Sequence, residues 1–507
     1  MGRFNKQEKS WIMYDWANSA YVTIVMAAIF PIFFETTARA AGYSGDVLWG
    51  YATSAATLVI AVCAPFLGAI GDFKGMKMKL FSFFLFFSLV FTVVMALANN
   101  TILMLVGYAV SYVGYAGANL FYDSFITDVT TKERMDDVSA YGYVMGYIGG
   151  STIPFLISIA LVMFGENFGI SADWAVRISV LLSCVWWGVF SIPMLRNVKQ
   201  TYYVEKPKTA LVREVFGSLK KTIVNIISDK KLRFFVIAYF FYIDGVGTII
   251  HMATSYGSTL GLGTVGMILA LLVTQIVAVP FSILFSKLAG KVGTVKMLLV
   301  GILIYCVVCI VGFYMGFSLE PHQAAYEKAY QEEMALQRGT LSDEAFMALE
   351  KEGITVLSDS GRAALFTEKA EALATDKFSG EAAGLTAIAA DMQTFLLDRD
   401  FSSFFDSALS FSGILFWILA ILVGTAQGGV QALSRSFFGK IIPPEKSNEY
   451  FGFFDIFGKF AAVVGPGLYA LFAHITGRSS IGILSLILLF VIGWLVLFAG
   501  RKHLSDI

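Results

Sequence analysis

The sequence predicts an all-α membrane protein with about twelve transmembrane helices arranged as two six-helix halves. The 507-residue chain is 57% hydrophobic and 15% charged, with a mean hydropathy of +0.71, which is not the composition of a soluble domain. Its apolar windows of roughly 20 to 27 residues are long enough to cross about 30 Å of hydrocarbon. Motifs of the first half recur in the second. Lysine plus arginine and aspartate plus glutamate each number 37, and this balance argues against a nucleic-acid partner.

The apolar windows define the predicted helices. In the first half they fall near residues 11–34, 47–70, 79–98, 101–127, 138–164 and 173–195. In the second half they fall near residues 232–257, 261–287, 294–317, 407–434, 450–474 and 479–499. The first window follows a basic tail, as in a signal peptide, but it is too long for one and carries Asp15. We therefore expect it to be retained as the first spanning helix.

Basic residues concentrate in the loops on one side of the predicted bundle. These loops contain Lys74, Lys77, Lys79, Lys132, Arg134, Lys287, Lys291, Lys296, Lys440 and Lys446. Loops on the other side, such as Ala98–Thr101 and Gly165–Asn167, have almost none. Because cytoplasmic loops carry the excess of lysine and arginine, both termini are predicted to be cytoplasmic.

Two segments interrupt the apolar pattern. The connection between the halves has apolar residues at helical spacing beside lysines, which fits a helix on the anionic inner leaflet or a helix packed beneath the bundle. The segment 318–405 is acidic and is expected outside the membrane as about four short helices, either a passive lid or a binding domain. The predicted units are 1–195 (first half), 196–231 (cytoplasmic linker), 232–317 (helices seven to nine), 318–405 (extracytoplasmic insert) and 406–507 (helices ten to twelve).

Two pairs of motifs indicate an internal repeat. Asp15 and Asp244 each lie in an apolar window, about 229 positions apart. The stretch Asn119–Ser124 corresponds to Gln431–Ser436 at a larger offset of about 312. The increase of about 83 is close to the length of the acidic segment, so one insertion into the second half restores a six-helix repeat.

The loop after the second window resembles the loop signature of the major facilitator superfamily. Gly68, Asp72, Gly75 and Lys79 supply its glycines, acid and base, and we predict that they take part in gating. The glycines permit a tight turn, and the aspartate can cap the amino terminus of a neighbouring helix. The corresponding loop of the second half, 287–293, has no aspartate, so any gate built from the two loops is asymmetric.

Further motifs resemble the vacuole-effluxer family of major facilitators. They are Tyr14–Tyr21, Phe241–Gly245, Gln431–Ser436 and Glu449–Phe460. Fungal members of this family are associated with autophagy and with release of amino acids from the vacuole. The resemblance implies a secondary transporter of small polar metabolites, amino acids among them, that works by alternating access in the bilayer. The insert is a departure that the family pattern does not explain. We expect a monomer in a bacterial cytoplasmic membrane, with proton and sodium coupling both open.

In this fold the first, fourth, seventh and tenth helices line a central cavity. Our candidates for contact with substrate or coupling ion are Asp15, Asn18, Asp244, Thr248, His251, Gln427 and Gln431. Asp123 and Arg435 occupy matching repeat positions with opposite charge, and we expect them to form a cytoplasmic-side gate. Asp244 is the first choice for a proton-carrying or substrate-binding acid, because an acid at mid-membrane costs roughly 2.5 to 3.5 kcal/mol. The structural alternative is a carboxyl group bonded to backbone or tyrosine.

Enzyme chemistry is not indicated. The sequence has no phosphate-binding P-loop, no zinc-ligand spacing and no serine nucleophile elbow, and no cofactor is expected. Its four cysteines all fall in apolar segments and are predicted to be core residues. The alternative from another functional class is a membrane receptor or scaffold that acts through the acidic insert.

Overall fold

The computed structural model describes most of the membrane part of the chain. The described residues are 4–43, 45–206, 211–259, 264–338 and 401–504. They are almost entirely helical, and the β-structure found among them is one isolated bridge between Phe73 and Val204. Most of the predicted acidic insert, including the expected short helices, lies outside the described residues.

Six membrane helices form the first half. They are α1 (Lys6–Ala40), α2 (Gly45–Gly71), α3 (Lys77–Leu97), α4 (Thr101–Val129), α5 (Lys132–Phe168) and α6 (Ala172–Asn197). Polar side chains cap the amino termini of α1 and α4. Asn5 and Glu8 form a reciprocal capping box at the start of α1, with both hydrogen bonds 2.8 Å long. The side chain of Asn100 accepts from the first N–H groups of α4.

A linker helix, Leu211–Ser228, precedes six more membrane helices. These are α7 (Lys230–Thr259), α8 (Thr264–Val292), α9 (Thr294–Arg338), α10 (Phe401–Ile441), α11 (Ser447–Thr476) and α12 (Ser479–Leu504). Among the described residues, eleven helices are long and apolar enough to cross a membrane. Only α11 falls outside that set, although it is 30 residues long. The predicted fold class is confirmed.

The boundaries of the acidic insert differ from the prediction. Helix α9 continues to Arg338, about 20 residues past the expected end, and α10 begins at Phe401. The residues that prolong α9 are rich in alanine, glutamate and glutamine, which have high helix propensity. The helix therefore does not end where its apolar window ends.

The two halves meet in a two-fold pattern. The second helix of each half packs against the fifth helix of the other, so that α2 lies against α11 and α8 against α5. The end of the bundle that carries residues 198–206 is called the linker side below. The loop after α2 and the start of α11 lie at this end, because Lys74 N–H donates to the carbonyl of Val204 and Asp72 bonds to Asn448.

Close approach of α1 and α5 depends on small residues in α5. A Cβ at Gly146 would lie 2.6 Å from the Ser19 hydroxyl, and one at Gly150 would collide with Ser19. Both helices contain a π-helical turn, Val22–Ala28 in α1 and Gly146–Thr152 in α5. The glycines of α5 therefore permit the close contact with α1.

Candidate substrate cavity and inter-half gate

A central cavity of about 390 Å³ lies between the two halves. Its polar lining consists of two acids, Asp123 and Asp455, one base, Arg435, and the amide of Gln431. Five aromatic rings complete much of the wall: Tyr115, Tyr143, Tyr239, Phe451 and Phe454. The lining comes from α4, α5, α7, α10 and α11, so neither half forms the cavity alone.

Arg435 joins the two halves beside the cavity. Its Nη1 lies 3.0 Å from Asp123 Oδ1 on α4, and its Nη2 lies 3.2 Å from Asp15 Oδ2 on α1. The arginine side chain is only 4% exposed, whereas those of Asp15 and Asp123 are 14% and 34% exposed, so the ion pairs are partly desolvated. The predicted contact between Asp123 and Arg435 therefore forms, and Asp15 joins it.

The guanidinium group is held on its remaining sides as well. Nε donates to the Ser139 hydroxyl at 3.0 Å, and Nη2 donates to the Ser139 carbonyl at 3.1 Å. The rings of Trp11 and Tyr143 each lie 4.6 Å from the guanidinium carbon. Gly142 leaves space for this arrangement, because a Cβ there would collide with the Asp15 carboxylate. Arg435, which belongs to the second half, is thus held by groups of the first half.

Asp244 does not line the central cavity, contrary to the expectation from sequence. It is 1% exposed and faces Gly465 of α11, as does Thr248 one turn later. Neither Asp244 oxygen nor the Thr248 hydroxyl makes a well-aligned hydrogen bond with the described residues. The distribution of apolar residues along α7 could not predict this orientation, because the helix is apolar on nearly every side.

The other candidates for substrate contact are dispersed. The Asn18 amide donates to Asn119 Oδ1 at 2.9 Å, which bridges α1 and α4. Gln427 lines a separate, largely apolar cavity of about 80 Å³ within the second half. The His251 side chain is exposed. Of the seven residues predicted for substrate or ion contact, only Gln431 belongs to the central cavity lining.

Asp72 caps α11 across the boundary between the halves. Its Oδ1 accepts from the backbone and side-chain nitrogens of Asn448 at 2.9 and 2.8 Å, and its Oδ2 accepts from Glu449 N–H at 3.0 Å. The first N–H groups of a helix have no intrahelical acceptor, so the Asp72 carboxylate supplies the acceptor that the first turn of α11 lacks. Burial raises the pKa of Asp72 to about 7, against the opposing effect of Lys77 and these donors. The predicted cap is confirmed.

The structure explains why glycine occupies positions 68 and 75. A Cβ at Gly68 would collide with the Asn448 carbonyl, so glycine allows α2 to approach α11. Gly75 has a φ of +72°, in the left-handed region, and its N–H donates to Gln200 Oε1 at 2.9 Å. The loop is thereby attached to the linker as well as to the second half.

The lysine in this loop that meets the second half is Lys77. Its Nζ donates to Asp128 Oδ2 at 2.6 Å, to the Ser447 hydroxyl at 2.9 Å and to the Ser124 carbonyl at 3.0 Å, and the side chain is fully buried. Lys79, the predicted gating residue, is exposed. Residues two apart in a helix point to nearly opposite sides, and α3 begins at Lys77. The buried contact with the second half therefore belongs to Lys77, and the gating role of Lys79 stays a prediction.

A second charged cluster joins α5 to α10 and α9. Asp136 Oδ2 accepts from Lys440 Nζ at 2.6 Å and from the Thr294 hydroxyl at 2.8 Å. Asp137 accepts from Ser286 of α8 at 2.6 Å. Asp136, Asp137, Ser286 and Thr294 were not predicted as functional residues. The repeat could have indicated Lys440 as a candidate, because it lies 312 positions after Asp128 and has the opposite charge. The same offset and the same change of charge relate Asp123 to Arg435.

Comparison with known proteins gives the family. The family model described as "Vacuole effluxer Atg22 like" matches residues 127–328 and 413–502, more than half of the chain. A Bacillus subtilis (strain 168) protein described as an uncharacterized MFS-type transporter, YxiO, is 38% identical over the whole of this chain and 98% of its own length. This chain belongs to the vacuole effluxer family of the major facilitator superfamily. Autophagy-related protein 22 of Saccharomyces cerevisiae is 42% identical over 11% of this chain and 10% of its own length.

Solved structures agree on the fold. The human organic anion transporter MFSD10 matches this chain with a TM-score of 0.61 at 10% identity, over 97% of this chain and 99% of that one. The transporter FucP in its outward conformation matches with a TM-score of 0.57 at 12% identity, over 98% and 97% of the two chains. Together with the 38% identical MFS-type transporter, this agreement shows that the chain is an integral membrane transporter of the major facilitator fold rather than an enzyme.

Proposed function

We propose that this protein is a secondary active transporter that carries a small zwitterionic metabolite, such as an amino acid or a betaine, across a bacterial cytoplasmic membrane. It works by alternating access and is coupled to an ion. The observation that carries this proposal is the central cavity, in which both signs of charge and several aromatic rings converge at the junction of the halves.

The chemistry of the cavity fits a zwitterion. Arg435 and Gln431 can hydrogen-bond a carboxylate, while Asp455 and the ring faces of Tyr239 and Phe454 can attract an ammonium or quaternary ammonium group. Binding of a carboxylate to Arg435 would compete with its bonds to Asp123 and Asp15. Substrate binding would therefore weaken the contact that joins the halves. One relative, a putative proline/betaine transporter of Staphylococcus haemolyticus, is 24% identical over 37% of this chain, which supports a zwitterion.

The proposed conformational change opens the linker side. The bonds from Arg435 to Asp123, Asp72 to Asn448 and Lys440 to Asp136 all close this end by joining one half to the other. From the basic loops we assign the linker side to the cytoplasm. The described conformation then corresponds to a cytoplasmically closed carrier.

Asp244 is the proposed coupling site. Asp244 is buried at the α7–α11 contact beside Thr248 and Gly465, where a charged group is costly. Proton release would place a charge in that contact and favour repacking of the two helices. The site lies beside the cavity rather than in it, so coupling would act through helix packing.

The test uses purified protein in liposomes and a solute panel of amino acids, betaines, sugars and organic anions, with and without an imposed pH gradient. We expect uptake of at least one zwitterion, stimulation by the gradient, and loss of that stimulation in Asp244→Asn. The matched control is Glu166→Gln, which makes the same change of acid to amide at an exposed residue and should transport normally. Uptake confined to sugars or anions would refute the substrate class. Gradient-stimulated uptake by Asp244→Asn would refute the coupling role.

A further inference from the structure

The linker helix presents three different faces. Val215, Leu219, Thr222 and Ile226 are buried, and two of them form a small core with Ala69 and Phe73 beneath α2. A polar face contacts α11. The third face is apolar and exposed, and the described residues leave it uncovered.

The exposed face is a stripe formed by Phe216, Ile223 and Ile227. These side chains are 57%, 44% and 59% exposed. At about 100° per residue they lie within roughly 40° of one another around the helix axis. A stripe of this kind on a helix that is already packed on its other side requires an apolar environment.

The stripe adjoins the outer surface of α2. The ring of Phe216 packs edge-on against that of Phe66, with 5.2 Å between centroids. Phe66 lies one and two turns beyond Val62 and Val59, which are 57% and 51% exposed on the outside of a membrane-spanning helix. The apolar surface therefore runs from α2 onto the linker helix without interruption, at the linker side of the bundle.

Basic residues border the stripe. Arg213 and Lys220 are exposed and lie next to it around the helix, within roughly 60° of its centre. Lys221 is also exposed but lies about 140° from that centre. The combination of an apolar stripe with a basic edge is typical of a helix that binds an anionic membrane surface.

We propose that the linker helix docks on anionic phospholipid headgroups through Phe216, Ile223 and Ile227 together with Arg213 and Lys220, and that this contact strengthens closure of the linker side. The packed face and the lipid face coexist on one helix, so both alternatives left open by the sequence apply.

The polar face links lipid binding to the gate. Ser218 donates to Glu449 Oε2 at 2.6 Å and accepts from Lys446 Nζ at 2.9 Å, and Asn225 donates to the Tyr450 hydroxyl. These residues belong to the first turn of α11 or immediately precede it, where Asp72 also binds. Fixing the helix at the membrane surface therefore also holds the start of α11 against the first half.

The test is hydrogen–deuterium exchange of the full chain in nanodiscs of phosphatidylcholine alone or with phosphatidylglycerol. We expect anionic discs to slow exchange of residues 211–228 and 447–453 by about 25-fold, in line with about fivefold for each of two basic residues at an anionic surface, and high salt to reverse the effect. Lys220→Gln should lose most of this protection, whereas Lys221→Gln, the same change on the other side, should keep it.

Equal exchange in the two kinds of disc would overturn the proposal, as would equal effects of the two substitutions. Slowed exchange of residues 211–228 without slowing at 447–453 would overturn the link to the gate. Both substitutions alter exposed side chains, so folding should be preserved. The measurement needs no solute, and its result is independent of whether the proposed substrate class is correct.

Discussion

Arg435 Nη1 lies 3.0 Å from Asp123 Oδ1, and the two residues occupy corresponding positions of the internal repeat, 312 residues apart. In a two-fold arrangement, equivalent residues near the axis face each other. Identical charges at these positions would repel, whereas opposite charges form an ion pair. Divergence of the repeats has therefore turned a position of self-contact into a bond between the halves.

The same symmetry relates two hydrogen bonds at the linker side. The Ser124 hydroxyl bonds to Asn448 Oδ1, and the Ser436 hydroxyl bonds to Asp136 Oδ1. Ser124 and Ser436 are 312 positions apart, and so are Asp136 and Asn448. The two hydrogen bonds occupy equivalent positions, but one acceptor is the neutral amide of Asn448 and the other is the carboxylate of Asp136. This difference agrees with the asymmetry expected from the two loops.

Replacing Arg435 with Gln should open the linker side. The change leaves the carboxylates of Asp15 and Asp123 without their cation in a poorly solvated site. We expect at least a tenfold loss of uptake in liposomes and faster labelling of a reporter cysteine at Gln431 from the linker side. Asp123→Asn should cost much less once Arg435→Gln is present, because the two groups act as a pair. Unchanged uptake together with unchanged labelling would rule out a gate at this position.

Lys77 and Lys79 offer a matched pair of substitutions. Lys77→Met should lower the free energy of unfolding by about 3 to 5 kcal/mol, since it leaves Asp128 buried without its cation. Lys79→Met should change it by no more than about 0.5 kcal/mol, because the side chain is exposed. Thermal unfolding in detergent measures both. Equal losses from the two substitutions would contradict the assignment of the buried contact to Lys77.

Closure through Asp72 should depend on pH. The pKa of its carboxyl group is raised by burial from 3.8 to about 7. The folded state thus binds this proton more tightly than the unfolded state, so the contribution to stability is complete below about pH 4 and is lost as the pH rises to about 7. We expect the linker side to be better protected from cysteine labelling at pH 5 than at pH 8.

The control for this prediction is Asp72→Asn. It keeps an acceptor for the first turn of α11 but removes the titrating group. Its pH dependence of labelling over this range should be much flatter than that of the wild type. A variant with the same pH profile as the wild type would show that another group is responsible.

Gly465 should be intolerant of even one methyl group. A Cβ there would collide with the Thr248 hydroxyl and lie 2.9 Å from Asp244 Oδ1, whereas nothing lies within 4 Å of a Cβ at Gly467. We expect Gly465→Ala to reduce uptake several-fold by separating α7 from α11, and Gly467→Ala to transport normally. The measurement is the rate of uptake by liposomes that contain equal amounts of each variant. Normal transport by both variants would contradict a functional contact at Gly465.

Much of the candidate gate was predictable from local patterns, and much of the cavity was not. Gly68, Gly75 and Asp72 were found because a tight turn and a helix cap each require particular residue types. Lys77, Asp128 and Asp136 were missed because their importance depends on partners in other helices. Tyr239 and Phe454 were treated as packing surface, since an aromatic residue in an apolar helix gives no sign of whether it faces lipid or a cavity.

The sequence alone determined the number of membrane helices, their repeat and the pairing of Asp123 with Arg435, because segment length, hydropathy and charge are properties of the chain itself. The tertiary structure decided which sides of those helices face one another. In it Asp244 lies outside the central cavity, and Lys77 rather than Lys79 makes the buried ion pair. The linker helix packs between α2 and α11. When a helix is apolar on every side, its sequence does not indicate which side faces the protein interior. Packing against neighbouring helices then fixes where each polar side chain points.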